Sequence, residues 1–361
     1  MPDITPFLKA LLSTSGVSGY ETPVAQLIAE KWRPLVDEIT FSRIGSLVAL
    51  KKGVSDIPAG AKRPSIMIAT HMDAIGLMVT AIVGEFLHVT QLGGIDARIL
   101  PGSPVTVHAT GAGKTVELYG VVAQPPVRAL PPALGDGPVP LLELLVDVGL
   151  SARETAAKIN IGDVVSFATQ PVELSGEVIS GHTLDNRASV AALTVALEDL
   201  QAKKHVWDVW AVATAQEETI LGGAYTSAYE LRPALAVTID VTFAKGPGAS
   251  DWGTFPLGKG PTISYGPNIH PYLYKRINEL ADRLEIPHAL ELVPRHSGTD
   301  TFAIQVSAEG IPSAVLGIPL RYMHTPVEMV AIKDIQRTGR LLAEFISALE
   351  IDFIENITWD D

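Results

Sequence analysis

The chain has 361 residues, 47% of them hydrophobic, and a formal net charge of -13 with no Lys/Arg-rich block. That balance disfavours nucleic acid or an anionic membrane as a partner, and the length suggests two domains at roughly 100–200 residues each. Cysteine is absent, which removes disulfides, thiolate ligands and cysteine nucleophiles, so any metal must be held by His, Asp or Glu.

Residues 3–12 and 22–36 read as helices, with Thr5 as a candidate cap for the first and Pro23 in the first turn of the second. The N-terminus lacks the basic start and long apolar core of a signal peptide. No run approaches about 18 uninterrupted apolar residues, and the expected compartment is the cytoplasm. Strands follow near 37–42 and 46–51. The run SIMIAT (65–70), bounded by Pro64 and His71, reads as a buried strand. From about 77 to 168 the texture changes to short alternating strands broken by glycine and proline, namely LMVTAIV, FLHVTQL, SPVTVHA, VELYGVVA and DVVSFAT. This pattern fits a small all-β module of barrel type. Within it, 124–140 is proline-rich and reads as a loop, and 151–160 as one short helix. The α/β pattern then resumes. Helices are expected at 186–200, from Gly222, at 271–285 and at 332–349, and strands at 206–215, 234–240 and 313–318. The polar tail IENITWDD reads as frayed. The simplest organisation is one α/β domain interrupted by an inserted β module.

Five potential ligands stand at the ends of apolar, strand-like runs or at the start of a helix. They are His71 in IATHMDAIG, Asp185 in GHTLDNRAS, Glu218 in ATAQEETILGGA, Asp240 in ALAVTIDVT and His324 in RYMHTP. In open α/β sheets, sites form beyond the carboxyl ends of strands, so independent segments would converge there. Two imidazoles with three carboxylates suit a two-metal hydrolytic site. Asp73 is placed to accept the second ring N–H of His71, fixing its tautomer. Glu217, beside Glu218, is free to move a proton rather than hold metal. Each residue taken alone has a plainer reading: a solvated loop His, an N-cap at Asp185, a surface pair at Glu217-Glu218, a turn at Asp240.

The stretches THMDAIGLMVT, LGGIDARILPG, HTLDNRASV, TAQEETILGGA, VTIDVT and SGTDTFAIQVSAEGIPSAVLGIPLRYMHTPVEMV together resemble the M42 metallo-aminopeptidases, the group that includes the TET, glutamyl-leucyl and deblocking aminopeptidases. The resemblance covers most of the chain in the family's order. It implies a three-layer α/β/α peptidase domain (residues 1–76 and 169–361) with an inserted small β-barrel dimerisation domain (77–168). It also implies two divalent ions per subunit, zinc with cobalt as the alternative. By motif, Asp185 would bridge the ions, His71 and Asp240 would complete one site, and Glu218 and His324 the other. Glu217 would be the general base and Asp73 would orient His71. Short peptides would be the substrate, and dimers would build a homo-oligomer, a hollow dodecamer. The chain departs from the family pattern at Ala74, where many members carry glutamate, and at Val127 after Pro125-Pro126, where a histidine is common.

The expected reaction is hydrolysis of the N-terminal peptide bond of short peptides. The segment Arg295-His296-Ser297-Gly298-Thr299-Asp300 is expected to form part of the substrate-facing wall, or else a turn capping the next helix. Competing readings are a di-zinc deacylase or carboxypeptidase of the related M20 type, a glycan hydrolase using paired carboxylates alone, and a non-catalytic assembly or peptide-binding protein.

Overall fold

The computed structural model describes residues 3–54, 56–57, 63–111, 113–134 and 137–359. Gly135 and Asp136 of the proline-rich segment, and Asp360 and Asp361 of the tail, lie outside the described residues.

The strand Ser65–His71 lies inside an eleven-stranded mixed sheet. Its side chains alternate between two cores. Ile66 and Ile68 pack in the one shared with helices Thr5–Ser13, Thr22–Trp32, Leu184–Asp199, Pro271–Arg283 and Ile332–Ser347. Met67 and Ala69 pack in the other, with Gly222–Leu231 and Asp300–Gln305. Both faces are covered, so the strand reads as a continuous apolar run rather than an alternating one. The result is a three-layer α/β/α arrangement.

Along the sheet the order is Glu38–Phe41, Leu47–Lys51, Asp208–Thr214, Ser65–His71, Leu235–Phe243, Ser313–Arg321, Glu328–Ala331, Val178–Gly181 and Val172–Leu174, with Thr262–Tyr265 and Ala289–Leu292 attached off this path. The four strands from Asp208–Thr214 to Ser313–Arg321 are parallel neighbours. Their carboxyl ends therefore share one edge, and the ligand-bearing residues collect there.

The helix Leu184–Asp199 is buried nearly all round, which fits its weak amphipathic pattern. Its partner Ile332–Ser347 buries Ile335, Leu341, Leu342, Phe345 and Ile346. The two approach closely at Gly339, where a Cβ would stand 2.4 Å from the Ala192 carbonyl oxygen.

Between Gly76 and Phe167 six antiparallel strands close into a barrel, in the order Gly76–Val83, Phe86–Leu92, Leu145–Asp147, Val116–Ala123, Pro104–Ala109 and Val164–Phe167. Leu77, Val79, Leu87, Val89, Val105, Val107, Val122, Val146 and Val165 fill it. These are alternate positions along their strands, as a one-sided pattern requires.

Several expectations need correction. Thr5 is the first helical residue rather than the cap, and its N–H donates to the Asp3 carboxylate at 3.0 Å. The second helix stops at Trp32 because Arg33–Leu35, with Pro34, tightens into a 3-10 turn. The proline-rich segment is a loop with short 3-10 turns at Val127–Ala129 and Pro132–Leu134. In the tail, Phe353–Asn356 forms a 3-10 turn and the Trp359 ring lies edge-on to His270 at 5.0 Å, while most of its described residues stay exposed. No described helix is long and apolar enough to cross a membrane.

Candidate metal centre

His71 ends its strand and is 2% exposed. Its Nε2 lies 3.2 Å from Asp185 Oδ1, and 3.8 Å from both Glu217 Oε2 and Asp240 Oδ1. On the other ring edge, Nδ1 is 3.2 Å from the Asp73 carbonyl oxygen and 3.4 Å from Asp73 Oδ1. Asp73 thus faces His71 with both carbonyl and carboxylate.

His324 comes from the loop after Ser313–Arg321, in the left-handed region at φ 59°. Its Nε2 lies 3.3 Å from Asp185 Oδ2 and 3.4 Å from Glu218 Oε2. The two oxygens of Asp185 therefore point to two different imidazoles. Asp185 and Asn186 interrupt the helical geometry at the start of Leu184–Asp199, so Asp185 projects into the site instead of capping that helix. The Asp185–Asn186 peptide is cis.

All seven sequence-predicted residues meet in one place. Two overlapping donor groups, His71 with Glu217 and Asp240, and His71 with Asp185 and Glu218, each have donor atoms within 4.8 Å of one another. The first group includes Glu217, which the sequence had set aside from metal binding.

Three further carboxylates organise the centre: Glu328 and Glu21, which the sequence does not single out, and Asp300, expected only as part of a wall or a capping turn. Glu328 accepts the Asp185 N–H at 3.0 Å and the His324 N–H at 2.9 Å, one on each oxygen. Asp300 lies beneath the site and accepts from the Thr214 hydroxyl. Glu21 accepts the Gln216 N–H at 3.0 Å. The signal available for Glu328 was its place in the HTPVE run; Glu21 and Asp300 make their bonds across the fold.

Electrostatics follow from crowding. Burial first, then Asp240, Asp300 and Asp73, push Glu217 up to about 9 against the pull of His71. Burial and Asp185 drive Glu218 well above the usual carboxylate range, and burial does the same for Asp240. Burial opposes ionisation of Asp185 too, but hydrogen bonds from His324 and His71 hold it low. His71 is disfavoured as a cation by burial, yet Glu217, Asp185 and Asp73 outweigh that and raise it. Positive charge placed among these carboxylates would relieve the crowding that raises them. Divalent cations would supply that charge, binding the deprotonated ligands. One oxygen of Glu218 is buried with no hydrogen-bond partner, as an atom reserved for an ion would be. The donors are hard oxygens and borderline nitrogens, and they fit divalent metal.

The site opens on a cleft of about 450 Å³ whose walls include Val241, Phe243, Glu291, Ser297, Thr299 and Met323. The barrel side contributes Gly94, where a Cβ would sit 3.1 Å from His324 Nδ1. Of the segment 295–300, Ser297 to Thr299 line the cleft. Arg295 and His296 are exposed and outside its lining, and Asp300 is buried, because Thr299 caps the helix Asp300–Gln305 through the Thr301 N–H.

Fold and site define a peptidase of α/β/α type carrying an inserted barrel. The family model for M42 glutamyl aminopeptidase matches residues 45–341, and the chain belongs to that family; it is a hydrolase of the aminopeptidase class. It is 34% identical over 357 residues to a lysyl aminopeptidase from Pyrococcus furiosus, covering 96% of this chain and 98% of that one. It superposes on a TET aminopeptidase from the marine sediment archaeon Thaumarchaeota archaeon SCGC AB-539-E09 with a TM-score of 0.90 at 28% identity, over 99% of this chain and 100% of that one. It also superposes on the Pyrococcus horikoshii TET1 peptidase, described as assembling into a tetrahedron or a large octahedral shell, with a TM-score of 0.81 at 27% identity over 96% and 100% of the two chains.

Proposed function

We propose that the protein removes N-terminal residues from short peptides at a centre holding two divalent ions, zinc or cobalt. The observation that carries this reading is Asp185, whose two oxygens face His71 and His324 at 3.2 and 3.3 Å. Asp185 would hold both ions, His71 with Asp240 would complete one site, and Glu218 with His324 the other. Bound there, the ions would supply Lewis acidity toward the scissile carbonyl and acidify the attacking water.

The protein's own groups do the rest. Glu217 takes a proton from the water and returns it to the leaving amine. Asp73 fixes the tautomer of His71 and accepts the N–H groups of Glu217 and Glu218 at 3.0 and 3.2 Å, so one carboxylate orients base and ligand together. The cleft wall formed by Val241, Phe243 and Met323 takes the substrate side chain. Two imidazoles among the donors disfavour glycan hydrolysis, which needs carboxylates alone. We also propose that the barrel, over residues 77–168, is the self-association domain; it exposes Tyr119 and Leu142 at 77% and 71%. The tetrahedral and octahedral shells described for the TET1 relative support self-association into larger assemblies.

Glu217→Gln tests the base. The variant should keep its fold and two ions per subunit while kcat falls by about 10²–10⁴. Near-normal turnover would remove Glu217 from that role.

A further inference from the structure

The turn that carries Glu217 and Glu218 is held by more than Asp73. Gln216 adopts the left-handed region at φ 61°, a conformation a non-glycine residue keeps only when its surroundings impose it. Its N–H donates to Glu21 Oε1 at 3.0 Å, and the same oxygen accepts the Gly19 N–H at 2.7 Å. Three successive backbone donors, from Gln216, Glu217 and Glu218, thus end on two carboxylates, Glu21 and Asp73. A second contact joins the same two segments, where the Ser18 and Thr219 hydroxyls lie 3.0 Å apart. Ser18 also donates its N–H to the Ala74 carbonyl at 3.0 Å. Residues 17–21 therefore brace the turn and the stretch after Asp73 at once. Ser18 and Glu21 are each 4% exposed, and neither belongs to the two donor groups.

We infer that Glu21, supported by Ser18, is a positioning residue that sets the direction of the Glu217 carboxylate by fixing the Gln216 backbone. The inference rests on Glu217 being the proton-transfer group. The physical reason is leverage. The Gln216 N–H lies in the Ala215–Gln216 peptide plane, directly before the plane whose Glu217 N–H donates to Asp73, so freeing it shifts the Gln216 backbone and with it the direction of the Glu217 side chain. Without Glu21 the Gln216 N–H has no acceptor among its neighbours, and a group left so turns to find one.

Glu21→Ala in the metal-loaded full chain should lower kcat about 10- to 100-fold, with KM within about threefold and metal content unchanged. Glu21→Gln keeps an amide oxygen that accepts the same two N–H groups, and should restore kcat to within about threefold of wild type. In a Glu217→Gln background, where positioning no longer matters, Glu21→Ala should cost less than about twofold. Wild-type kcat in Glu21→Ala, or the same fold-loss with and without Glu217, would overturn the assignment. A crystal structure of Glu21→Ala reads the turn without any turnover, and Ser18→Ala serves in its place should Glu21→Ala fail to fold. A rotated 215–216 peptide with a displaced Glu217 carboxylate is expected in the variant, and an unmoved Glu217 would overturn the clamp. Absence of peptide release by the wild type would instead count against the aminopeptidase reading, with the crystal structure still deciding this one.

Discussion

At the scale of single residues, the centre is a set of carboxylates that the fold forces close together. Asp185 is the point where both halves depend on one side chain. Asp185→Asn replaces a carboxylate that offers two anionic oxygens by a neutral amide that offers one acceptor, and metal analysis should find well under two ions per subunit; retention of two would refute the bridging role. A residue outside the donor set contributes to the pH dependence of stability. Burial, and then Arg187, depress His182 to about 3 from an ordinary 6.5. A base depressed in the fold contributes stability that is intact above pH 6.5 and is lost as pH falls, because the unfolded chain takes up the proton first. The slope for one such proton is about 1.4 kcal/mol per pH unit. His182→Gln should flatten denaturant midpoints between about pH 6 and 4 by that one-proton slope. An unchanged acid limb would show that His182 does not titrate on unfolding.

At the scale of elements, legibility followed local pattern. His71 and Asp240 could be read because each punctuates an apolar run that becomes a buried parallel strand, and the closed barrel could be read because its strands alternate. Glu21 could not. It lies 195 residues from the backbone it holds, and nothing near it in sequence distinguishes it from a solvated glutamate. The edge strand Val172–Leu174 and its neighbour Val178–Gly181 were missed for a similar reason, since three or four residues are too few for a period to show. Asp300 reads as an ordinary capping-turn carboxylate until the fold brings it under Thr214. Helix packing gives a direct test at Gly339. On an exposed helix Gly→Ala would stabilise by about 1 kcal/mol. Here the added methyl meets the Ala192 carbonyl at 2.4 Å and Val195 at 2.7 Å, so Gly339→Ala should destabilise by about 1–3 kcal/mol in denaturant unfolding. A gain in stability would mean that the two helices separate freely.

At the scale of the whole molecule, the barrel serves two ends. Through Gly94 it closes one wall of the catalytic cleft, and through Tyr119 and Leu142 it offers apolar surface. Native mass measurement should give a multiple of the 38.4 kDa chain, built from even numbers of subunits. A stable monomer at working concentration would contradict assembly through the barrel.

The most direct measurement is release of chromophore from a panel of free-amine aminoacyl substrates, comparing metal-stripped protein with zinc- and cobalt-reloaded protein. The expected result is release only after reloading, with two ions bound per subunit and one class of N-terminal side chain preferred. Equal release by stripped and reloaded protein, or none from folded protein holding two ions, would contradict the metal-dependent aminopeptidase.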